Sequence, residues 1–284
     1  MLRVAFFHTH TPMQIPHIYK PSAGAEALFY TWFTAMHTRV DIAIHGPHDE
    51  ARLVSLTQDI ASELQRLEHI GNFFDPTSEL SLVNRLASAQ PTPVSPELYH
   101  ILEACLAFHA RTQGYFDVTV HSTPHTPHTI HGIRLQPETH TVRFEQPGTC
   151  INLSGFLKGY ALDNIRPLLH KSGIRHALVN LGNSSILALG NHPSGKGWKL
   201  GHDLVLSDQC LTTSGNETDP QQHIINPQTG QPVTGKRQIR VITPQGVWGE
   251  VCSTALFACP DEHRPALIEA LRPELISCHQ DTIG

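Results

Sequence analysis

Beyond Gly173 the chain breaks into short apolar or alternating runs, each bounded by Gly or Asp: HALVNLG, SSILALG, GWKLG, HDLVL and CLTTSG. Such punctuation predicts strands. HIINPQTGQPV reads as strand, turn, strand, and QIRVITP as a further strand. Upstream the period changes. After Gly46 and Pro47, which close an alternating strand at Arg39–His45, the residues Leu53, Leu56, Ile60, Leu64 and Leu67 recur at three- and four-residue steps. That spacing puts one apolar face on a long helix. Strands and helices mix without a regular strand–helix–strand repeat, which predicts an α+β fold of mixed sheets with packed helices.

Local signals refine this outline. Ser78 with Glu79 starts a short helix after the Asp75-Pro76 turn. Ser95-Pro96-Glu97 combines a capping hydroxyl with proline at the first helical position, so a helix runs to Thr112 and ends at Gly114. Tyr115–Val120 reads as a short strand, and residues 130–152 as short strands separated by turns. Ser154 to about Lys171 reads as a helix with Gly173 just past its end. Gly246–Cys259 and Glu262–Leu271 are the last two helices.

With 284 residues, 39% of them hydrophobic, the chain can bury the core of one compact unit. No linker or repeat divides it. We read 1–284 as one domain, with 1–35 as an N-terminal extension and 36–260 as the motif-bearing core. A net charge of −5 provides no basic footprint for nucleic acid. The apolar stretch at the N-terminus is too short for a signal-peptide core or a membrane span. It predicts a short strand and a cytoplasmic chain, or a periplasmic one if a leader was removed. Six cysteines, Cys105, Cys150, Cys210, Cys252, Cys259 and Cys278, show no paired spacing and read as buried free thiols rather than a zinc site or disulfide framework. Histidine is abundant, at 21 residues. His121, His125, His128 and His131 have spacings that suit a metal on a helix, but Pro124 and Pro127 break any helix there, so a polar loop is expected.

Four segments carry chemistry. In Gly114-Tyr115-Phe116-Asp117-Val118-Thr119, an aromatic beside an acid can hold a flat ring and its polar edge, or the segment is simply a strand entering the core. In Ile151-Asn152-Leu153-Ser154-Gly155-Phe156-Leu157-Lys158-Gly159-Tyr160, a strand runs into a helix whose N-terminal N–H groups suit phosphate. Lys158 stands in the first turn, where a cation opposes the helix dipole, a breach that points to function. Thr212-Thr213-Ser214-Gly215 precedes His223-Ile224-Ile225-Asn226-Pro227-Gln228-Thr229-Gly230. His223 is a candidate general base there, or one more structural histidine. Glu250 and Thr254 share a helix face, and their oxygens suit a hard cation such as Mg²⁺. A buried small-residue packing helix is the alternative for that segment.

The ordered set resembles the FAD:protein FMN transferase family of the ApbE type. That family carries, in order, Met-Gly-Thr, S-x-Y-D-P-x-S-E-x-x-x-x-N, G-x-F-D-x-T, D-L-G-G-I-A-K-G-Y-A-x-D, N-x-G-G-D, S-G, H-I-I-D-P-x-T-G-x-P and A-D-A-x-S-T-A. This chain shows Met36-His37-Thr38, Phe74-Asp75-Pro76-Thr77-Ser78-Glu79 with Asn84, and Asn180-Leu181-Gly182-Asn183-Ser184 beside the four segments above. The resemblance implies an ApbE-like fold and Mg²⁺-dependent transfer of FMN from FAD to a Ser or Thr hydroxyl of an acceptor flavoprotein, with AMP leaving. It implies that Met36, Phe74, Tyr115, Phe116, Asp117, Asn152, Lys158 and Ile224 contact FAD. Gly155, through its carbonyl, Glu250 and Thr254 would hold Mg²⁺, and His223 with Lys158 would be catalytic. Where the family carries Asp, this chain has Asn152, Ser184, Asn226 and Glu250. The Gly215–His223 stretch is short. These departures leave two competing readings: a pyrophosphatase giving FMN and AMP, and a non-catalytic FAD-binding protein.

Overall fold

A computed structural model describes residues 15–21, 26–201, 204–216 and 223–282; the strand expected at the extreme N-terminus lies outside them. The centre is an eight-stranded sheet. Its strands are β1 (His17–Lys20), β2 (Ala27–Ala35), β3 (Thr38–Gly46), β7 (Ala177–Leu181), β8 (Ser185–Leu189), β11 (Gln209–Asn216), β14 (Arg237–Thr243) and β15 (Ser277–Thr282), in that spatial order. Every neighbouring pair is antiparallel. Alternation sets the register: Phe33 lies opposite Val40, and Val40 opposite Leu181, so their side chains share one buried face.

Two helices cover that half of the sheet. In α1 (Glu50–Gly71) the stripe read from sequence, Leu53, Leu56, Ile60, Leu64 and Leu67, is buried against Val40, Ile42, Ile44, Val179 and Leu181. Asp49 caps its first turn by accepting from the Arg52 amide. In α4 (Leu157–Lys171), Leu162, Ile165 and Leu169 enter the same core. A second core lies under the other half. There α2 (Glu79–Leu86), α3 (Pro96–Arg111), α5 (Gly246–Ala258) and α6 (Arg264–Leu271) pack with a small sheet of β4 (Thr92–Pro93), β5 (Ile133–Gln136) and β6 (Thr141–Phe144). The opposite face of the large sheet is covered by the β9 (Trp198–Leu200) and β10 (Leu204–Leu206) pair, whose Trp198 donates to the Leu189 carbonyl at 2.8 Å. β12 (Ile225–Asn226) and β13 (Gln231–Pro232) flank the NPQTG turn. No helix among the described residues is long and apolar enough to cross a membrane. The chain is thus a single α+β unit, as its pattern predicts.

The structure corrects several local expectations. Tyr115–Val120 is a set of turns, not a strand. Asp117 accepts from both the amide and the hydroxyl of Thr119, at 2.7 and 2.6 Å, and this local bonding replaces a sheet ladder. Ile151–Leu153 is not a strand either. Asn84 holds it by donating to the Ile151 carbonyl and accepting from the Ile151 amide, both at 2.8 Å. Helix α4 starts at Leu157 rather than Ser154 because an Asx turn claims the residues before it: Asn152 accepts from the Ser154 amide. Strands β1, β2, β4 and β15 were not legible in the pattern. Of these, β1 and β2 lie in the central sheet, so residues 17–20 and 27–35 are integral to it rather than an extension. Cys105, Cys210, Cys252 and Cys259 are buried, Cys150 and Cys278 half-buried, and all six are free. Residues 121–128 form turns, with the His125 ring against the Pro227 carbonyl at 3.0 Å.

Candidate active site

The cleft opens where the ends of the strands meet the start of α4 and the middle of α5. The β2–β3 hairpin closes in two residues, Met36 and His37, at φ 53° and 57°. Positive φ at both positions is the geometry of a type I′ turn, which glycine or asparagine normally supplies. Beside it, Gly182, Asn183 and Ser184 close the β7–β8 hairpin. Asn180 fixes that turn by exchanging hydrogen bonds with Asn183 at 2.8 and 2.9 Å.

Helices α4 and α5 meet in backbone contact at Gly159 and Gly246, where a Cβ on Gly159 would lie 2.2 Å from the Gly246 carbonyl oxygen. Asp163, one turn further on α4, accepts from the Gly246 and Val247 amides at 2.7 and 2.9 Å. It thereby caps α5. Burial pushes the Asp163 pKa up, against the pull of those two amides. This contact brings Lys158 and Glu250 to one place. Lys158 donates to the Ser184 hydroxyl, and the buried Glu250 carboxylate accepts from Ser185. Thr254 lies one turn beyond Glu250 and next to Gly155, whose imagined Cβ would lie 3.3 Å from the Thr254 hydroxyl. Ser214 bridges from β11, 2.8 Å from the Ser253 hydroxyl and 3.5 Å from that of Thr254.

The resulting cavity has a volume of about 630 Å³, within the usual range for a small-molecule site. All the residues expected at the site line it. Met36 and Phe74 stand at the rim, with Phe74 69% exposed. Tyr115, Phe116 and Asp117 form the back wall, and the first two are largely committed to the core: the Tyr115 hydroxyl bonds His263 at 2.7 Å. Asn152, Gly155, Lys158, Glu250, Thr254, His223 and Ile224 complete the lining, with Gly155 packed against Thr254. His223 is exposed. The cleft walls desolvate its ring and Lys158 repels an added proton, so its pKa lies below the ordinary histidine value. A neutral ring near pH 7 is a competent proton acceptor.

Two of the replaced acids prove to be turn-formers. Asn152 Oδ1 accepts from the Ser154 amide at 2.8 Å, and Asn226 Oδ1 from the Gln228 amide at 2.9 Å. An Asx turn needs only a carbonyl-type acceptor, so Asn serves as well as Asp. Ser184 in turn gives Lys158 a neutral partner.

Some lining residues escaped the sequence reading. Asn72 Oδ1 accepts from the Phe74 amide at 2.9 Å while its amide nitrogen meets His37 at 2.8 Å. His37 packs edge-on to Phe74, and Phe73 stacks on His121 with ring centres 5.6 Å apart. The dipeptide after Asn72 carried the signal for this aromatic rim. His121 was hidden inside a histidine-rich loop.

The arrangement defines a class: an α+β protein with a ligand-sized cleft that gathers a lysine, a histidine and a cluster of hard oxygen donors. Comparison with known proteins narrows this. Residues 36–277 match the ApbE family, and the chain belongs to it. The FAD:protein FMN transferase of Chlamydia pneumoniae is 27% identical over 240 residues, covering 72% of this chain and 76% of the relative. That of Chlamydia trachomatis is 28% identical over 240 residues, covering 70% and 75%. The solved flavin transferase ApbE from Vibrio cholerae superposes with a TM-score of 0.74 at 18% identity, over 95% of this chain and 98% of that one. The ApbE protein of Thermotoga maritima gives 0.72 at 21% identity, over 89% and 93%.

Proposed function

We propose that this chain transfers the FMN half of FAD to a Ser or Thr hydroxyl of an acceptor flavoprotein, releasing AMP, in a Mg²⁺-dependent reaction. The observation that carries the reading is convergence. Motif residues from six separated stretches of the chain, 36, 74, 115–117, 152–158, 223–224 and 250–254, line one cavity of adequate size. The residues also fit the metal. Gly155, Glu250 and Thr254 line the cavity, with Gly155 packed against Thr254, and their carbonyl, carboxylate and hydroxyl are hard oxygen donors, the chemistry Mg²⁺ selects. When bound there, Mg²⁺ would neutralise charge on the pyrophosphate oxygens.

The chain's own side chains supply the rest. Lys158 lines the cleft, and its positive charge binds and orients the phosphates. Phe74 with the rim rings covers a flat ring, and Tyr115 and Phe116 exclude water behind it. His223 takes the proton of the attacking hydroxyl, which ends on the departing AMP. The test is incubation with FAD, Mg²⁺ and an acceptor bearing a flavinylation Ser or Thr, followed by intact mass and nucleotide chromatography. An FMN-sized increment on the acceptor with equimolar AMP is expected. FAD bound but unconsumed would refute transfer, and FMN with AMP but no labelled acceptor would establish hydrolysis instead.

A further inference from the structure

A side-chain hydrogen bond ties the tip of the β2–β3 hairpin to the turn after α1, and its polarity is fixed. Asn72, at the end of α1, is held by its own segment at three points. Its amide donates to the Glu68 carbonyl at 3.0 Å, its carbonyl accepts from the Ser78 hydroxyl at 2.7 Å, and its Oδ1 accepts from the Phe74 amide at 2.9 Å. A backbone N–H only donates, so the last of these bonds identifies the oxygen end of the Asn72 side chain. The nitrogen end lies 2.8 Å from His37 Nε2. An amide nitrogen only donates as well, so Nε2 offers its lone pair and the neutral ring carries its hydrogen on Nδ1.

His37 is exposed and stands at φ 57°. Glycine would adopt that backbone without strain, and a strained residue at a ligand cleft points to a function. The ring packs edge-on to Phe74, with centres 6.0 Å apart. His37, Asn72 and Phe74 all line the cavity.

We propose that His37 is a positioning residue for the FAD site: its Nε2 latches Asn72 and so holds Phe74 at the rim before the ligand arrives. Such pre-organisation adds affinity by reducing what must be ordered on binding. Protonation of the ring turns Nε2 into a donor, two donors then face each other, and the latch opens. This rests on the FAD-binding part of the proposed function and requires nothing of the transfer step. The charged and titratable groups around the ring are Asp75, whose carboxyl is held low chiefly by Thr77 and more weakly by His69 and His37, and Glu68, His121, Lys158 and His223 of the cavity lining.

The test reverses the polarity of the latch. Asn72→Asp keeps an acceptor for the Phe74 amide but replaces the donor Nδ2 with an oxygen. That oxygen repels the neutral ring and pairs with the protonated one. FAD affinity is measured on the purified chain by flavin fluorescence at about pH 8 and about pH 5, the two ends of the range in which imidazole changes charge, with melting temperature as the folding control. The ratio of variant to wild-type dissociation constants cancels every titration the two proteins share. It should be about five-fold at the higher pH, the scale of one hydrogen bond, and fall below about one at the lower. In a His37→Asn background, which keeps a residue tolerant of positive φ but withdraws the ring, the ratio should be the same at both pH values. A ratio that does not move with pH, or that moves equally without His37, would overturn the latch while leaving transfer intact. The expected ratios with no labelled acceptor would uphold the latch and remove the transferase reading. Nitrogen NMR of the ligand-free protein supplies a check that needs no variant to fold: the neutral His37 ring should carry its hydrogen on Nδ1, and a hydrogen on Nε2 would overturn the proposal.

Discussion

Replacing Gly159 with alanine tests whether the α4–α5 contact builds the site. A Cβ there would lie 2.2 Å from the Gly246 carbonyl oxygen, 2.5 Å from its carbon and 2.7 Å from Glu250 Cγ. Two of those three atoms are backbone, so no side-chain rotation relieves them. Restoring contact distances near 3.5 Å requires α5 to retreat by roughly an ångström. Overpacking of this kind costs about 1–3 kcal/mol, and the backbone origin of the clash puts it at the upper end. Alanine returns about 1 kcal/mol of helix propensity relative to glycine. The net loss is about 2 kcal/mol, or roughly 3–4 °C in melting temperature for a chain of this size. Thermal unfolding by circular dichroism measures it. Gly132→Ala is the control, because its nearest new neighbour is Glu145 Cβ at 3.7 Å, and it should melt within about 2 °C of wild type. Since the retreat carries Glu250 away from Lys158, FMN transfer well below the melting point should fall at least about ten-fold. A Gly159→Ala protein that melts and turns over like wild type would refute the argument that this contact sets the site.

Three further outcomes are expected. Thr254→Val keeps the shape but deletes one oxygen, so the Mg²⁺ concentration for half-maximal activity should rise while folding persists; an unchanged Mg²⁺ titration would remove Thr254 from the metal set. Because the folded pKa of His223 is depressed by the cleft walls and Lys158, its ring stays neutral to lower pH than a free histidine. The acid limb of the kcat/KM profile should therefore fall below the usual pKa of about 6.5 and vanish in His223→Asn with a loss of about 10²–10⁴ in rate; a limb retained in that variant would assign it to another group. Burial raises the pKa of all six thiols, to about 12 for Cys210. A native titration with a thiol reagent should thus reach at most Cys150 and Cys278, with the other four reacting only on unfolding; rapid labelling of Cys105 or Cys252 in the native protein would contradict the packing.

Wherever a segment carried its own periodicity or cap, the sequence was sufficient. The Leu53–Leu67 stripe, the Ser95-Pro96 start of α3 and the Asn226–Gly230 turn depend on neighbours a few residues away, and local sterics and hydrogen bonding decide them. The order of short motifs likewise revealed the family. What the chain could not show by itself were features created by distant partners. Tyr115–Val120 looks like a strand until Thr119 claims Asp117. The apolar β2 joins the large sheet as an interior strand only because β1 and β3 flank it. The cleft exists because Gly159 and Gly246 let two helices touch and bring Lys158 to Glu250 across 92 residues of chain. Local hydrogen-bond and steric preferences are written residue by residue; which distant groups meet, and which of them are buried, is decided only when the whole fold closes around them.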